Sequence, residues 1–137
     1  VEIGLKSLRW LCEKQLSPQG RFRPIGSNGF SREGGVAAVF DQQAIETYAM
    51  ISLSIEAFAV SKDMFWNEQA HLAFDWFLGR NDLGQPIYDA ATGGCNDGLM
   101  ENRVNENQGA ESTLAFLLSL VEMRAHSATL RVNSTSP

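Results

Sequence analysis

The sequence predicts an all-α fold of two helical hairpins, on three observations. Apolar residues recur at helical spacing in four segments; two of these segments are striped and two are apolar on nearly every side; and the same order of elements returns at an offset of 66 residues. At 137 residues and 44% apolar content, the chain has the size of one ordinary domain and enough apolar side chains for a packed core.

The first segment, 3–15, sets Leu5, Leu8, Leu11 and Cys12 on one side and Lys6, Arg9 and Glu13 on the other, the stripe of a half-exposed helix. Segment 63–78 repeats the pattern, with Trp66, Ala70, Ala73 and Phe77 along its apolar middle and Asn67, Glu68, His71 and Asp75 opposite. Segments 44–60 and 110–123 are apolar nearly all round after their first turn, so they are expected to be surrounded by protein. The offset of 66 places Trp10 over Trp76, Gln42 over Gln108, Ala44 over Ala110 and Ala49 over Ala115, giving hairpin units of about 1–66 and 67–125. Residues 126–137 are mostly polar and are expected to be a flexible tail.

The connections fall into two classes. Only two residues separate Val60 from Asp63, an ordinary antiparallel link, whereas 16–40 and 79–106 each run to about 25 residues, longer than loops reach without a purpose. Because the helices alternate in direction, both long loops are expected at one end, together with the N-termini of the two apolar helices.

Charge and motifs exclude several functions. Eleven Lys and Arg against sixteen Asp and Glu leave a formal charge of −5, which disfavours nucleic acid and anionic membrane surfaces as partners. No 18-residue stretch is free of polar groups, so no membrane span is expected. Cys12 and Cys95 form no disulfide framework, and with His71 and His126 they match no zinc spacing; no phosphate loop, dinucleotide fingerprint or nucleophile elbow occurs. Neither a metal nor a cofactor is expected. The chain opens at Val1 without Met or leader, so it reads as part of a longer protein whose remainder is one expected partner.

Acids and amides concentrate at the loop end: Asp41, Gln42, Gln43 and Glu46, then Asp89 and Asp97, then Asn105, Glu106, Asn107 and Glu111. Asp41 and Asn107 have a structural explanation as helix N-caps. Glu46 and Glu111 lie about one turn into apolar helices, where a carboxylate needs a partner or a wet cavity, so both are expected to face a cleft. Paired carboxylates across a polar cleft are what glycosidic cleavage requires, one protonated and one ionised. Tyr88 could stack on a sugar face, as could Phe40 and Tyr48, whereas Trp76 at helical spacing is expected in the core.

The run Leu78-Gly79-Arg80-Asn81-Asp82-Leu83-Gly84, followed by Asn105-Glu106 ahead of an apolar helix, resembles the C-terminal part of the ninth family of glycoside hydrolases, six-hairpin (α/α) toroid enzymes. The longer pattern FDQQ (40–43), WFLGRNDLGQPIYD (76–89), TGGC (92–95), DGL (97–99) and NENQGAESTLAFLL (105–118) is still more similar to the C-terminal region of bacterial group-1 glycosyltransferase-related proteins. These resemblances imply two hairpins of an (α/α)6 toroid, with a compact four-helix bundle as the alternative. The first implies Glu106 as general acid, with Asp41, Glu46 and Glu111 as further catalytic candidates. An oligosaccharide or glycan is the implied partner, contacted by Gln42, Gln43, Arg80, Asn81, Tyr88, Asp89, Asp97, Asn105 and Asn107. The second resemblance implies an accessory domain beside a sugar-nucleotide transferase, catalytic or purely binding. Two hairpins leave apolar helix faces open, so self-association is also expected.

Overall fold

The computed structural model describes residues 1–135 and contains four helices and a small three-stranded sheet: α1 (Glu2–Lys14), β1 (Gln42–Gln43), α2 (Ala44–Ser61), α3 (Met64–Phe77), β2 (Gly98–Leu99), β3 (Val104–Asn105) and α4 (Ala110–Thr135). The chain is helix-rich, as expected, but the sheet was not anticipated. Its strands are two residues each, too short to show alternation in a sequence.

Each helix boundary has a local cause. Gln43 enters α2 in extended conformation, and Lys62 ends it in the left-handed region (φ 61°) while its N–H bonds back to Phe58 at 2.8 Å. Asp63 then caps α3, its carboxylate accepting the Phe65 N–H at 3.0 Å, so the tight link is a C-cap run straight into an N-cap. Gly79 follows α3 at φ 99°, the conformation glycine adopts most readily. The fourth helix continues through the expected boundary at 125 to Thr135, and His126 is buried on it, with Nε2 2.9 Å from the Asn67 side-chain oxygen of α3. The tail expected from 126 is therefore helical as far as it is described, and residues 136 and 137 lie outside the described residues.

The core gathers between α2, α3 and the start of α4. Trp66, Trp76, Phe77, Ile51 and Ala73 are fully buried, each large side chain contributing ~2 kcal/mol by removal from water. Phe116 of α4 links the layers: Tyr88 stacks on it with centroids 4.4 Å apart, and Phe77 meets it edge-on at 5.3 Å. Helix α2 packs along both α3 and α4. Helix α1 buries only Cys12.

One expectation about the apolar helices needs correction. They are not enclosed: Leu53 and Val60 of α2 and Leu114, Leu117, Leu118 and Val121 of α4 are exposed, so the four helices do not cover themselves as a bundle would. In addition, α2, with 18 residues and a mean hydropathy of 1.2, is long and apolar enough to cross a membrane by length and composition. A third of it is buried against the rest of the chain, and the core helix of a soluble protein passes the same test.

Candidate functional site

The sheet brings the starts of α2 and α4 together. Strand β1, which runs directly into α2, pairs antiparallel with β2 (Gln42 with Leu99, Gln43 with Gly98), and β2 pairs with β3 (Gly98 with Asn105). Gly98 is required at this crossing, because a Cβ there would collide with the Gln42 carbonyl oxygen. Both long loops thus converge on one pole, as their lengths predict.

Between the two helix starts lies a cleft of about 410 Å³, lined by Ser27, Asp41, Gln42, Gln43, Asp97, Gly98, Leu99, Met100, Asn105, Gly109, Ala110, Glu111 and Ser112. Its lining residues include three carboxylates, two amides in Gln43 and Asn105 besides the buried Gln42, and two hydroxyls, and none is Lys, Arg or His. Six expected site residues meet here: Asp41, Gln42, Gln43, Asp97, Asn105 and Glu111. Ser27, Gly98, Met100 and Ser112 were missed; isolated small or polar loop residues carry no pattern in a sequence, and only the positive φ of Gly98 (155°) reflects a backbone demand.

Asp97 organises this wall. Its carboxylate accepts from the Gly109 N–H at 2.9 Å, from the Ser112 hydroxyl and from the Asn107 amide, so a loop aspartate thirteen residues ahead of α4 serves its first turn. Burial works to raise the Asp97 pKa, but the Asn107, Ser112 and Gly109 hydrogen bonds outweigh it and lower it from the ordinary aspartate value. Asn107 was expected to cap this helix and instead supports the aspartate that does. Asp41 was expected to cap α2, yet the N-cap is Gln43, with no side-chain cap, and the Asp41 carbonyl accepts the Ser27 N–H at 2.9 Å.

Gln42 is buried beneath the cleft in a chain of polar contacts. Its side-chain oxygen accepts the Trp76 indole N–H at 2.7 Å, while its amide nitrogen donates to Asp82 at 2.6 Å and to the Val39 carbonyl at 3.0 Å. Arg23 grips both Asp82 oxygens at 2.8 and 2.6 Å. Burial pushes the Asp82 pKa up, but the Arg23 and Gln42 contacts prevail and lower it. Asn81 is fully buried and splints its turn, donating to the Trp76 and Gln85 carbonyls and accepting from the Leu83 N–H. Gln42 and Asn81 are therefore committed to the scaffold.

Other expected site residues stand outside the cleft. Glu46 turns toward α1: its carboxylate accepts from the Ile25 N–H at 3.0 Å and from the Gln15 amide at 3.4 Å, and burial raises its pKa. Glu46 and Glu111 thus do not share the cleft expected of them, because Glu46 projects from the side of α2 where the Ile25 N–H and the Gln15 amide take its carboxylate. Glu106 is exposed on the segment between β3 and α4 and lines no cleft described here. Arg80 pairs with Asp75 at 3.0 Å on the surface. Asp89 accepts the Ala91 N–H at 2.8 Å and the Gln108 amide at 3.1 Å, the former leading the lowering of its pKa. Tyr88 has one ring face occupied by Phe116.

Both cysteines are free and buried, and among the described residues no group of three His, Cys, Asp or Glu could hold a metal ion. The chain matches no protein-family model and no curated protein.

Proposed function

We propose that the cleft between the starts of α2 and α4 binds a neutral glycan, within a carbohydrate-active or carbohydrate-binding domain related to the (α/α) toroids and associated with glycosyl transfer. The observation that carries this reading is the cleft's lining: carboxylates and amides in number, with no cationic side chain. Sugar hydroxyls both donate and accept, so they satisfy such a wall, whereas phosphates and carboxylates are repelled from it. The side-by-side packing of α2 and α4, with α3 outside them, supports the toroid reading, since alternate helices form an inner layer there.

The test is titration of the chain with neutral oligosaccharides and with sugar phosphates, followed by amide NMR. Neutral sugars are expected to shift Gly98, Asn105 and Glu111, with Glu111→Gln and Asp41→Asn each weakening binding about tenfold, the loss of one charge-assisted hydrogen bond. Shifts confined to residues outside the cleft, or preference for the phosphates, would remove the reading.

Acid-base cleavage is the second reading, favoured by Asp41 and Glu111 lining one cleft from two different elements. Glu106 is its expected acid by resemblance, and Glu106→Gln should abolish turnover while binding survives. Equal turnover in that variant excludes Glu106 from the chemistry.

A further inference from the structure

The two open flanks of the molecule are the two halves of an interface the chain already makes within itself. Inside the chain, α2 meets α4 through Tyr48, whose hydroxyl donates to Glu122 at 3.2 Å, and through Ser52 and Ile55, which share a gap of about 570 Å³ with Glu122 and His126. Shifted by the 66-residue repeat, Tyr48, Ser52 and Ile55 become Leu114, Leu118 and Val121, the exposed row on α4, with Leu114 at 56% and Val121 at 63% exposure. Shifted the other way, Glu122, Met123 and His126 become Glu56, Ala57 and Val60. Those three residues line the open groove of about 560 Å³ between α1 and α2, where Leu8 and Leu53 are also found.

The outer helices carry the same relation. Helix α3 packs on the preceding inner helix, α2, and its Trp76 is fully buried with the indole N–H on Gln42. Among the described residues no inner helix precedes α1, and its Trp10, at the Trp76 position, is 56% exposed and lines the groove. The Gln42 position in a preceding unit would be Gln108.

We infer that the chain associates head to tail with a second copy of itself, the α4 row of one seated in the α1/α2 groove of the next, with Trp10 brought to the neighbour's Gln108. The surface area agrees. The chain exposes 8162 Å², against about 7,100 Å² for a compact monomer of 15.1 kDa, and that excess is on the order of the roughly 800 Å² each partner contributes to a stable interface. Because the two surfaces differ, the contact is heterologous and propagates to a ring or an open chain rather than stopping at a two-fold pair. The inference is independent of the glycan reading.

Light scattering on a dilution series of the chain, with tryptophan fluorescence read in parallel, tests it. Masses at multiples of 15.1 kDa are expected, with emission moving to the red on dilution, since Trp66 and Trp76 are buried and Trp10 alone changes surroundings. Leu118→Glu spoils the row and Leu53→Glu the groove; both positions are exposed, and circular dichroism checks that the fold is kept. Each variant alone should be a monomer, and a mixture of the two should form a pair, one supplying the sound row and the other the sound groove. A wild-type chain that remains at 15.1 kDa at every concentration, a Leu53→Glu chain that still dimerises, or a mixture that does not pair would each overturn it.

Discussion

Trp76 donates its indole N–H to the side-chain oxygen of Gln42 at 2.7 Å, with both residues buried, so the end of α3 is fastened to the residue that begins the entry into α2. The same amide holds Asp82, which Arg23 grips from the first long loop, and one glutamine therefore joins a helix to both loops that build the cleft. Replacing Gln42 by Ala leaves the buried Trp76 N–H without its acceptor and takes one donor from Asp82, which keeps its two contacts with Arg23. One stranded buried donor at ~1–3 kcal/mol places the expected loss near 2 kcal/mol. Urea unfolding monitored by fluorescence measures it, and a loss below 1 kcal/mol would show that water replaces the amide.

Asp97 carries a comparable duty for α4 with more access to solvent. Asp97→Ala removes the acceptor for the Gly109 N–H and the Ser112 hydroxyl, and a helix cap lost in this way costs ~1–2 kcal/mol. The pH dependence follows from the sign of its shift. The folded pKa of Asp97, like that of Asp82, lies below the ordinary aspartate value of 3.8, so the unfolded chain binds more protons as pH falls. Both carboxylates contribute fully above that value, and their contribution fades as pH drops through the folded values. Denaturant midpoints should thus decline below about pH 4 in the wild type and decline less steeply in Asp97→Ala, whose remaining slope reports Asp82 together with Asp89, which is also held low. Parallel slopes in the two proteins would refute the assignment.

The thiols supply a test of packing around the core. Burial raises Cys12 to about 11 and Cys95 to about 12, with the Asp97 carboxylate adding to the latter. At pH 8 neither forms the thiolate that attacks a disulfide reagent. Native protein should react with an aromatic disulfide only at the rate of unfolding, and unfolded protein should release two equivalents at once. Rapid labelling of Cys12 in the native state would mean that α1 detaches readily from α2, to which the Cys12 thiol is joined only through a 3.7 Å contact with the Met50 sulfur.

The positions of the four helices were legible because apolar spacing is a local property, and Ala44 and Ala110, matched by the repeat, do begin the two apolar helices. The convergence of the loops was legible too, since alternating helices leave equal-length loops no other pole. What could not be read was which acid faces which wall. Asp97 reaches a helix beginning thirteen residues later, and Glu46 is taken up by Ile25 and Gln15 from the first long loop and the end of α1; both depend on how loops fold over helices, and no periodicity encodes that. The all-round apolarity of 110–123 led to the expectation of a helix enclosed by protein, and this chain leaves its Leu114, Leu118 and Val121 bare.

Glu46 reverses the acid behaviour of Asp97 and Asp82. Burial raises its folded pKa above 4.5, so between that value and the raised one the folded chain binds more protons than the unfolded one, and stability falls as pH rises. Beside it, the side-chain oxygen of Gln15 is buried without a hydrogen-bond partner, while the Gln15 amide nitrogen donates to Glu46. Glu46→Gln keeps an oxygen for the Ile25 N–H, brings a donor toward the unpartnered Gln15 oxygen and removes the charge that burial opposes. The variant should therefore be more stable than the wild type at pH 8, by about 1 kcal/mol, the usual worth of one hydrogen bond, with the difference closing toward pH 4 as the native carboxyl takes up its proton. Urea midpoints at the two pH values decide the matter: a variant weaker than wild type at pH 8 would show that the ionised carboxylate at the base of α2 is a stabilising group.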